Sequence, residues 1–249
     1  MSDVEVSSSN HIVGIRLNRP DKKNAITSAM YASLARALEA AAADDGTRVV
    51  TLTGSEDCFT AGNDLNDFMA SPTADMDQPV FHFLRAISTF PKPIVAGVAG
   101  PAVGVGTTML FHCDLIVAAP SAHFSFAFVD LGVVPEAGSS LLVPRLMGPQ
   151  LAAKHLLLCE PFDAKTAYSY GLVTEIADNV EARVQDIARR LAAKPPEAVR
   201  LTKQLLRREG GTVAERIAEE GEIFAERLQS AEAREAFTAF FERRPPNFG

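Results

Sequence analysis

A chain of 249 residues with 47% hydrophobic and 22% charged residues carries enough apolar material for one substantial core. The 24 basic and 31 acidic side chains leave a formal charge of -7, which argues against a nucleic-acid binder, since such a protein needs a basic face to neutralise phosphates. Three cysteines, Cys58, Cys113 and Cys159, form neither a CxxC pair nor an even set, so a reducing compartment is expected and a disulfide framework is not.

The opening MSDVEVSSSN is acidic and polar, unlike a secretory signal or an Arg-rich transit peptide. The closing PPNFG matches no retention or peroxisomal address. No apolar run reaches the ~18 residues that a membrane span needs, so the expected location is cytoplasmic, with no membrane partner. Ile12 to Leu17 alternates with the two-residue period of a half-buried strand, with Val13, Ile15 and Leu17 on one side. Met30, Leu34, Leu38 and Ala41 then repeat at helical spacing behind a cap at Thr27 or Ser28, and Asp44-Asp45-Gly46 ends that helix. Val49 to Thr53, Ile94 to Ala99 and Leu115 to Ala119 are compact apolar runs suited to strands covered on both faces. The segment Met69 to Val80, with Pro72, Asp75, Asp77 and Pro79, reads as a loop.

Strand, helix and strand alternate, which gives the fold class α/β. No strand-like run is expected after about Thr174. Val184, Ile187, Ala188 and Leu191 form a helical stripe broken by Pro195-Pro196. Val213, Ile217, Phe224 and Leu228 form a second stripe, and Phe237, Phe240 and Phe241 crowd a third helix. These stripes are either internal core or a subunit interface. The expected division is a core over 1–194 and a helical subdomain over 195–249.

Familiar chemistry is mostly excluded. There is no GxxxxGK[ST] loop, no complete GxGxxG, no HExxH and no GxSxG elbow. The five histidines lack metal-ligand spacing, and His112 and His123 read as locally hydrogen-bonded. Two glycine turns and an acidic turn remain: Phe59-Thr60-Ala61-Gly62-Asn63-Asp64-Leu65, Gly100 to Thr107, and Leu131-Gly132-Val133-Val134-Pro135-Glu136-Ala137-Gly138-Ser139. Small residues at a helix start leave free N–H groups, and two such groups aimed at one point stabilise an oxyanion. The alternative is a pair of ordinary strand-to-helix connections. Glu136 is a lone carboxylate, read as opening a helix after Pro135. It either complements the helix dipole or, near Phe124, Phe126 and Phe128, acts as a base whose pKa burial has raised.

In this order and spacing the three turns resemble the enoyl-CoA hydratase/isomerase (crotonase) superfamily, over nearly the whole chain from Asn18-Arg19-Pro20 to the helical tail. The resemblance implies an α/β spiral of ββα units with C-terminal helices that mediate trimers or hexamers. It also implies an acyl-coenzyme A thioester as substrate and neither a metal nor a separate cofactor, because coenzyme A travels with the substrate. By motif position the oxyanion donors are the main-chain N–H groups of Asn63 and Val105. Lys22 and Lys23 are either contacts for the coenzyme A phosphates or simply solvated loop lysines. Ala25, Ala61, Gly62, Asp64, Leu65 and Gly104 fall where the coenzyme A path is shaped, and Thr108 and Phe128 fall where the family's hydratases carry their two glutamates, here as acyl-pocket residues. Phe81, Phe83 and Phe90 are either acyl-tunnel wall or core. Glu136 aligns with the single catalytic glutamate of the 3,2-trans-enoyl-CoA isomerases of peroxisomal type, and Asp130 ranks below it as an auxiliary acid. The implied activity is the shift of a 3-enoyl-CoA to the trans-2-enoyl-CoA. The alternatives are a hydratase or other acyl-CoA lyase of the superfamily, and a non-catalytic acyl-CoA-binding subunit.

Overall fold

A computed structural model describes residues 2–70 and 77–249. The chain starts with an antiparallel pair, β1 (Val4–Ser9) and β2 (Ile12–Leu17). Thr27 then caps α1 (Ser28–Ala43) by accepting from the Met30 N–H at 3.3 Å. Met30, Tyr31, Leu34, Leu38 and Ala41 form the buried face of α1. The helix leads to β3 (Val49–Thr53), the short α2 (Leu65–Ala70), α3 (Pro79–Ser88) and β4 (Ile94–Val98). From here the chain alternates between two sheets. β4 and β6 (Leu115–Ala118) lie in the larger sheet, whereas β5 (Pro101–Val103) and β7 (His123–Ser125) lie in the smaller. A four-residue helix, α4 (Val105–Thr108), follows β5, and α5 (Ser139–Met147) and α6 (Pro149–Leu157) follow β7. After them come β8 (Phe162–Asp163), α7 (Ala164–Tyr170), β9 (Glu175–Ile176), α8 (Val180–Ala192), α9 (Pro196–Arg207), α10 (Val213–Leu228) and α11 (Ala231–Glu242).

The larger sheet runs β1-β2-β3-β4-β6-β9, parallel from β2 onward, and the smaller runs β5-β7-β8. Its central strands are covered on both faces, which is why they read as unbroken apolar runs. Val49, Val95 and Val117 face α8 through Val184, Ile187 and Ala188. The opposite residues Val50, Leu52, Ile94 and Ile116 join α1, α3 and the smaller sheet in the main core.

Several expectations change. β1, β5 and β7 were not expected, and β9 adds a short strand just after Thr174. Of the segment Met69 to Val80, the first two residues lie in α2 and the last two in α3, and 71–76 lie outside the described residues. α9 begins after Pro195, and Lys203 and Arg207 on it both pair with Asp114, at 2.7 and 3.2 Å. The apolar stripes of α10 and α11 are not internal core. Val213, Ile217, Phe224, Phe237, Phe240 and Phe241 are all more than half exposed. No helix among the described residues is long and apolar enough to cross a membrane.

Candidate active site

The two glycine turns are built as one unit. Thr60 bridges Ala102 in parallel fashion, its N–H donating to Pro101 O and its carbonyl accepting from Val103 N, both at 3.0 Å. Gly62 holds a φ of 91°, and a Cβ there would stand 2.8 Å from Val103 O. Gly104, with a φ of 56°, donates to Ser125 O at 2.9 Å and sets the start of α4. This pairing brings Asn63 and Val105 to adjacent edges of the same junction. The neighbours of Asn63 are engaged, since Ile26 N donates to Gly62 O and Asp64 N to Ile26 O, each within 2.9 Å. The N–H groups of Asn63 and Val105 donate to nothing among the described residues.

The first loop is fastened beneath this junction. Asn24 is fully buried with a φ of 53°. Its amide nitrogen donates to Ser55 Oγ, Cys58 O and Phe59 O at 2.9, 3.0 and 3.1 Å, and its oxygen accepts from Arg19 N at 2.8 Å. Thr60 Oγ1 donates to Asn24 O at 2.7 Å and accepts from Gly62 N at 3.0 Å. Ala61 N donates to Lys23 O, and Ala25 N to Lys22 O. Lys22 and Lys23 are thus held at the surface beside the junction, both exposed. Asp64 is not a free acid. It accepts from Arg19 Nη1 at 2.7 Å, and that bond holds its carboxyl below the usual range. Leu65 is exposed at the start of α2.

Glu136 does not open a helix. It lies in the loop three residues ahead of α5, whose cap is Gly138 with a φ of 69°. His112 Nε2–H donates to Ala137 O at 2.8 Å, and Ser139 Oγ donates to Glu136 O at 2.5 Å, so the loop is clamped on both sides of the acid. The partner of His112 is therefore not local. Burial pushes the His112 pKa down, so the ring is a neutral donor through Nε2.

Thr108 is fully buried in α4, and its hydroxyl donates to Glu136 Oε1. Beyond the expectation of an acyl-pocket residue, the side chain also serves the carboxylate. Glu136 Oε2 is buried and has no hydrogen-bond partner among the described residues. Burial raises the Glu136 pKa above its usual range, and the Thr108 bond partly opposes the rise. Phe128 is buried, and its carbonyl accepts from Leu131 N and Val133 N, each at 3.0 Å. Asp130 is exposed in the following turn. Phe83 and Phe90 are core residues, and Phe124 and Phe126 pack on Phe162 at 5.4 and 6.0 Å.

Sequence reasoning missed Tyr31. It lies on the buried face of α1, and its hydroxyl donates to Asn63 Oδ1. Its pKa is raised well above the usual value by burial and, secondarily, by the Glu136 charge. The ring is 5.5 Å from that of Phe83. Tyr31 and Asn63 line a cavity of about 20 Å³ with Ile26, Ser28, Asp64 and Val80. Roomier clefts lie elsewhere, among them one of about 600 Å³ by Arg16, Thr53 and Asn179 and one of about 620 Å³ between α9, α10 and α11. Neither contains Glu136. A group with one raised carboxylate and two free N–H donors is the better candidate for chemistry than a larger but unequipped cleft.

Such a set can move a proton at a carbon beside a carbonyl while holding the resulting oxyanion. Among the described residues no cluster of His, Cys, Asp and Glu could hold a metal ion. Comparison with known proteins points the same way. The family model for enoyl-CoA hydratase/isomerase matches residues 7–249. The 1,2-epoxyphenylacetyl-CoA isomerase of Escherichia coli K12 is 33% identical, over 95% of this chain and 94% of its own length. The enoyl-CoA delta isomerase 2 of Rattus norvegicus is 36% identical over 96% of this chain, which spans 63% of that protein. A solved structure from Magnetospirillum magneticum AMB-1, given as an enoyl-CoA hydratase/carnithine racemase, is 40% identical over both whole chains with a TM-score of 0.97.

Proposed function

The chain belongs to the enoyl-CoA hydratase/isomerase family, with the family's α/β crotonase fold, and on that premise we propose that it is an isomerase that converts a 3-enoyl-CoA to the trans-2-enoyl-CoA. The observation that carries this reading is a single carboxylate beside the paired glycine turns. Hydration in this family calls for two acids to hold a water, but positions 108 and 128 are threonine and phenylalanine. The Thr108 hydroxyl is already committed to Glu136, so it is not free to fix a nucleophile.

An allylic proton exchange needs one base only. In a 3-enoyl thioester, the proton on the carbon next to the carbonyl is acidified by both the carbonyl and the double bond. Glu136 takes that proton, and the negative charge spreads onto the thioester oxygen. The Asn63 and Val105 N–H groups bind this oxygen, and each such donor is worth on the order of 100- to 1000-fold in rate. Glu136 then returns the proton to the γ-carbon, which leaves the double bond conjugated with the carbonyl. Lys22 and Lys23 meet the phosphates of coenzyme A. The exposed apolar faces of α10 and α11 pack against further copies of the chain, in a homotrimer or hexamer.

The test follows conjugated-thioester formation from 3-hexenoyl-CoA, with 2-hexenoyl-CoA hydration measured in parallel. Wild type is expected to isomerise the first and leave the second nearly unhydrated. Glu136→Gln is expected to lose at least the ~100- to 10,000-fold credited to positioned proton transfer. Hydration as the faster reaction, or an unimpaired Glu136→Gln enzyme, overturns the reading.

A further inference from the structure

The two oxygens of Glu136 are not equivalent. Oε1 accepts the Thr108 hydroxyl, whereas Oε2 is buried with no partner among the described residues. A threonine hydroxyl has one proton to give. The other acceptor within reach of Thr108 Oγ1 is Val105 O at 3.4 Å, at the edge of hydrogen-bonding range. A charged carboxylate is the stronger acceptor, so the proton points at Oε1 while Glu136 is ionised.

The same geometry selects where an incoming proton lands. With the proton on Oε2, the neutral acid keeps Oε1 as a carbonyl-type acceptor, and Thr108 need not move. With the proton on Oε1, the acid would present its own O–H to the Thr108 oxygen. Thr108 would then have to turn its hydroxyl proton to the distant Val105 carbonyl. Resting on the isomerase reading above, we propose that Thr108 is a positioning residue that anchors Oε1 and thereby assigns both halves of the proton transfer to Oε2. The bond that breaks at the α-carbon and the bond that forms at the γ-carbon then share one oxygen, and the acid does not rotate between the two steps. Thr108 lies on α4, whose first N–H is the Val105 oxyanion donor. Base and oxyanion donor are thus referenced to one helical turn.

The full-length protein is compared as wild type, Thr108→Val and Thr108→Ser by two measurements. One is kcat and KM on 3-hexenoyl-CoA across pH. The other is the carbon-13 NMR titration of the Glu136 carboxyl, identified by its absence in Glu136→Gln. Thr108→Val removes the hydroxyl at nearly constant shape. It is expected to lower kcat about 10- to 100-fold, the scale of a misplaced reacting group, with KM little changed. Losing the donor also removes a bond that favours the charged form, so the carboxyl titration and the acid limb of kcat move to higher pH. A base strengthened in this way would by itself be faster, so a slower enzyme with a higher titration point separates positioning from basicity. Thr108→Ser is expected to restore both readouts. An unmoved Glu136 titration in Thr108→Val overturns the proposal, as does a kcat loss that serine fails to rescue, because the methyl packing would then be responsible. A wild type that does not isomerise rejects the isomerase reading instead, while the titration still decides whether Thr108 holds Oε1.

Discussion

Replacing Asn24 tests whether the first loop supports the oxyanion junction, and its cost follows from the hydrogen bonds. Alanine deletes every side-chain bond of a fully buried amide. Cys58 O keeps another donor in Ser55 N at 2.9 Å, so it is not stranded. Phe59 O, which is buried, loses the partner it has for about 1–3 kcal/mol, and the part-buried Arg19 N loses its own for about 1 kcal/mol. Alanine must also hold the φ of 53° that asparagine tolerates, for about 1 kcal/mol more. The sum is about 3–5 kcal/mol, a large part of the 5–15 kcal/mol that typically keeps a domain folded. Asn24→Gly suffers the same orphaned groups without the φ strain. It is therefore expected to be about 1 kcal/mol more stable than Asn24→Ala, reversing the usual order of the two residues. Urea denaturation of the three proteins, followed by circular dichroism, measures both differences. An Asn24→Ala protein within about 1 kcal/mol of wild type, or a glycine variant less stable than the alanine one, would refute the reasoning.

Other predictions concern the junction, the missed tyrosine and the exposed helices. Gly106→Ala puts a Cβ 2.4 Å from Thr60 Cγ2, and Thr60 cannot rotate without losing its bonds to Asn24 and Gly62; a loss of about 1–3 kcal/mol by thermal melting is expected, with kcat falling more than KM rises. Tyr31→Phe leaves Asn63 Oδ1 without its donor, so a stability loss of about 1 kcal/mol and a kcat reduced about 10-fold through the shifted Asn63 turn are expected, and unchanged kcat would show that Tyr31 only packs. Phe240→Asp with Phe241→Asp, at positions 77% and 81% exposed, should lower the sedimentation coefficient without unfolding the chain if the proposed self-association uses this face; an unchanged coefficient would overturn that use of the face.

What the sequence displayed depends on how each element is stabilised. β3, β4 and β6 are buried on both faces, so their burial is written into consecutive apolar residues. β1 has one buried side chain, Val4, in six residues. It exists because its backbone pairs with β2 from Val4 opposite Leu17 to Ser9 opposite Ile12, and backbone pairing leaves no side-chain signature. β5 and β7 are three residues each, too short for a period to register. The glycine turns and Glu136 were legible as motifs. Tyr31 was not, because on α1 it is one more member of a helical stripe, and what distinguishes it is an oxygen 32 residues away. Thr108 was visible as a position but not as a donor, since its partner arrives from a loop 28 residues on.

The displacement of Glu136 from the helix start has a thermodynamic consequence. In the first turn of a helix the dipole would favour its charged form and lower its pKa. Ahead of α5, with Ala137 and Gly138 both at positive φ, the carboxylate answers chiefly to burial, which raises its pKa, with Thr108 as the counterweight. A carboxyl whose folded pKa exceeds the ordinary 4.5 binds its proton more tightly folded than unfolded. Its contribution to stability therefore declines as pH rises from about 4.5 through the raised folded value, and above that value the whole penalty for the buried charge is present. Glu136→Gln removes the charge and keeps an oxygen to accept the Thr108 bond. It should melt above wild type at neutral pH, by on the order of 2–4 °C for each kcal/mol relieved, and the gap should close as pH falls below the ordinary carboxyl range. Melting curves of the two proteins across that interval decide the matter. A Glu136→Gln protein no more stable than wild type at neutral pH would mean that the charge is well solvated. It would then lack the raised basicity that the proposed proton transfer requires.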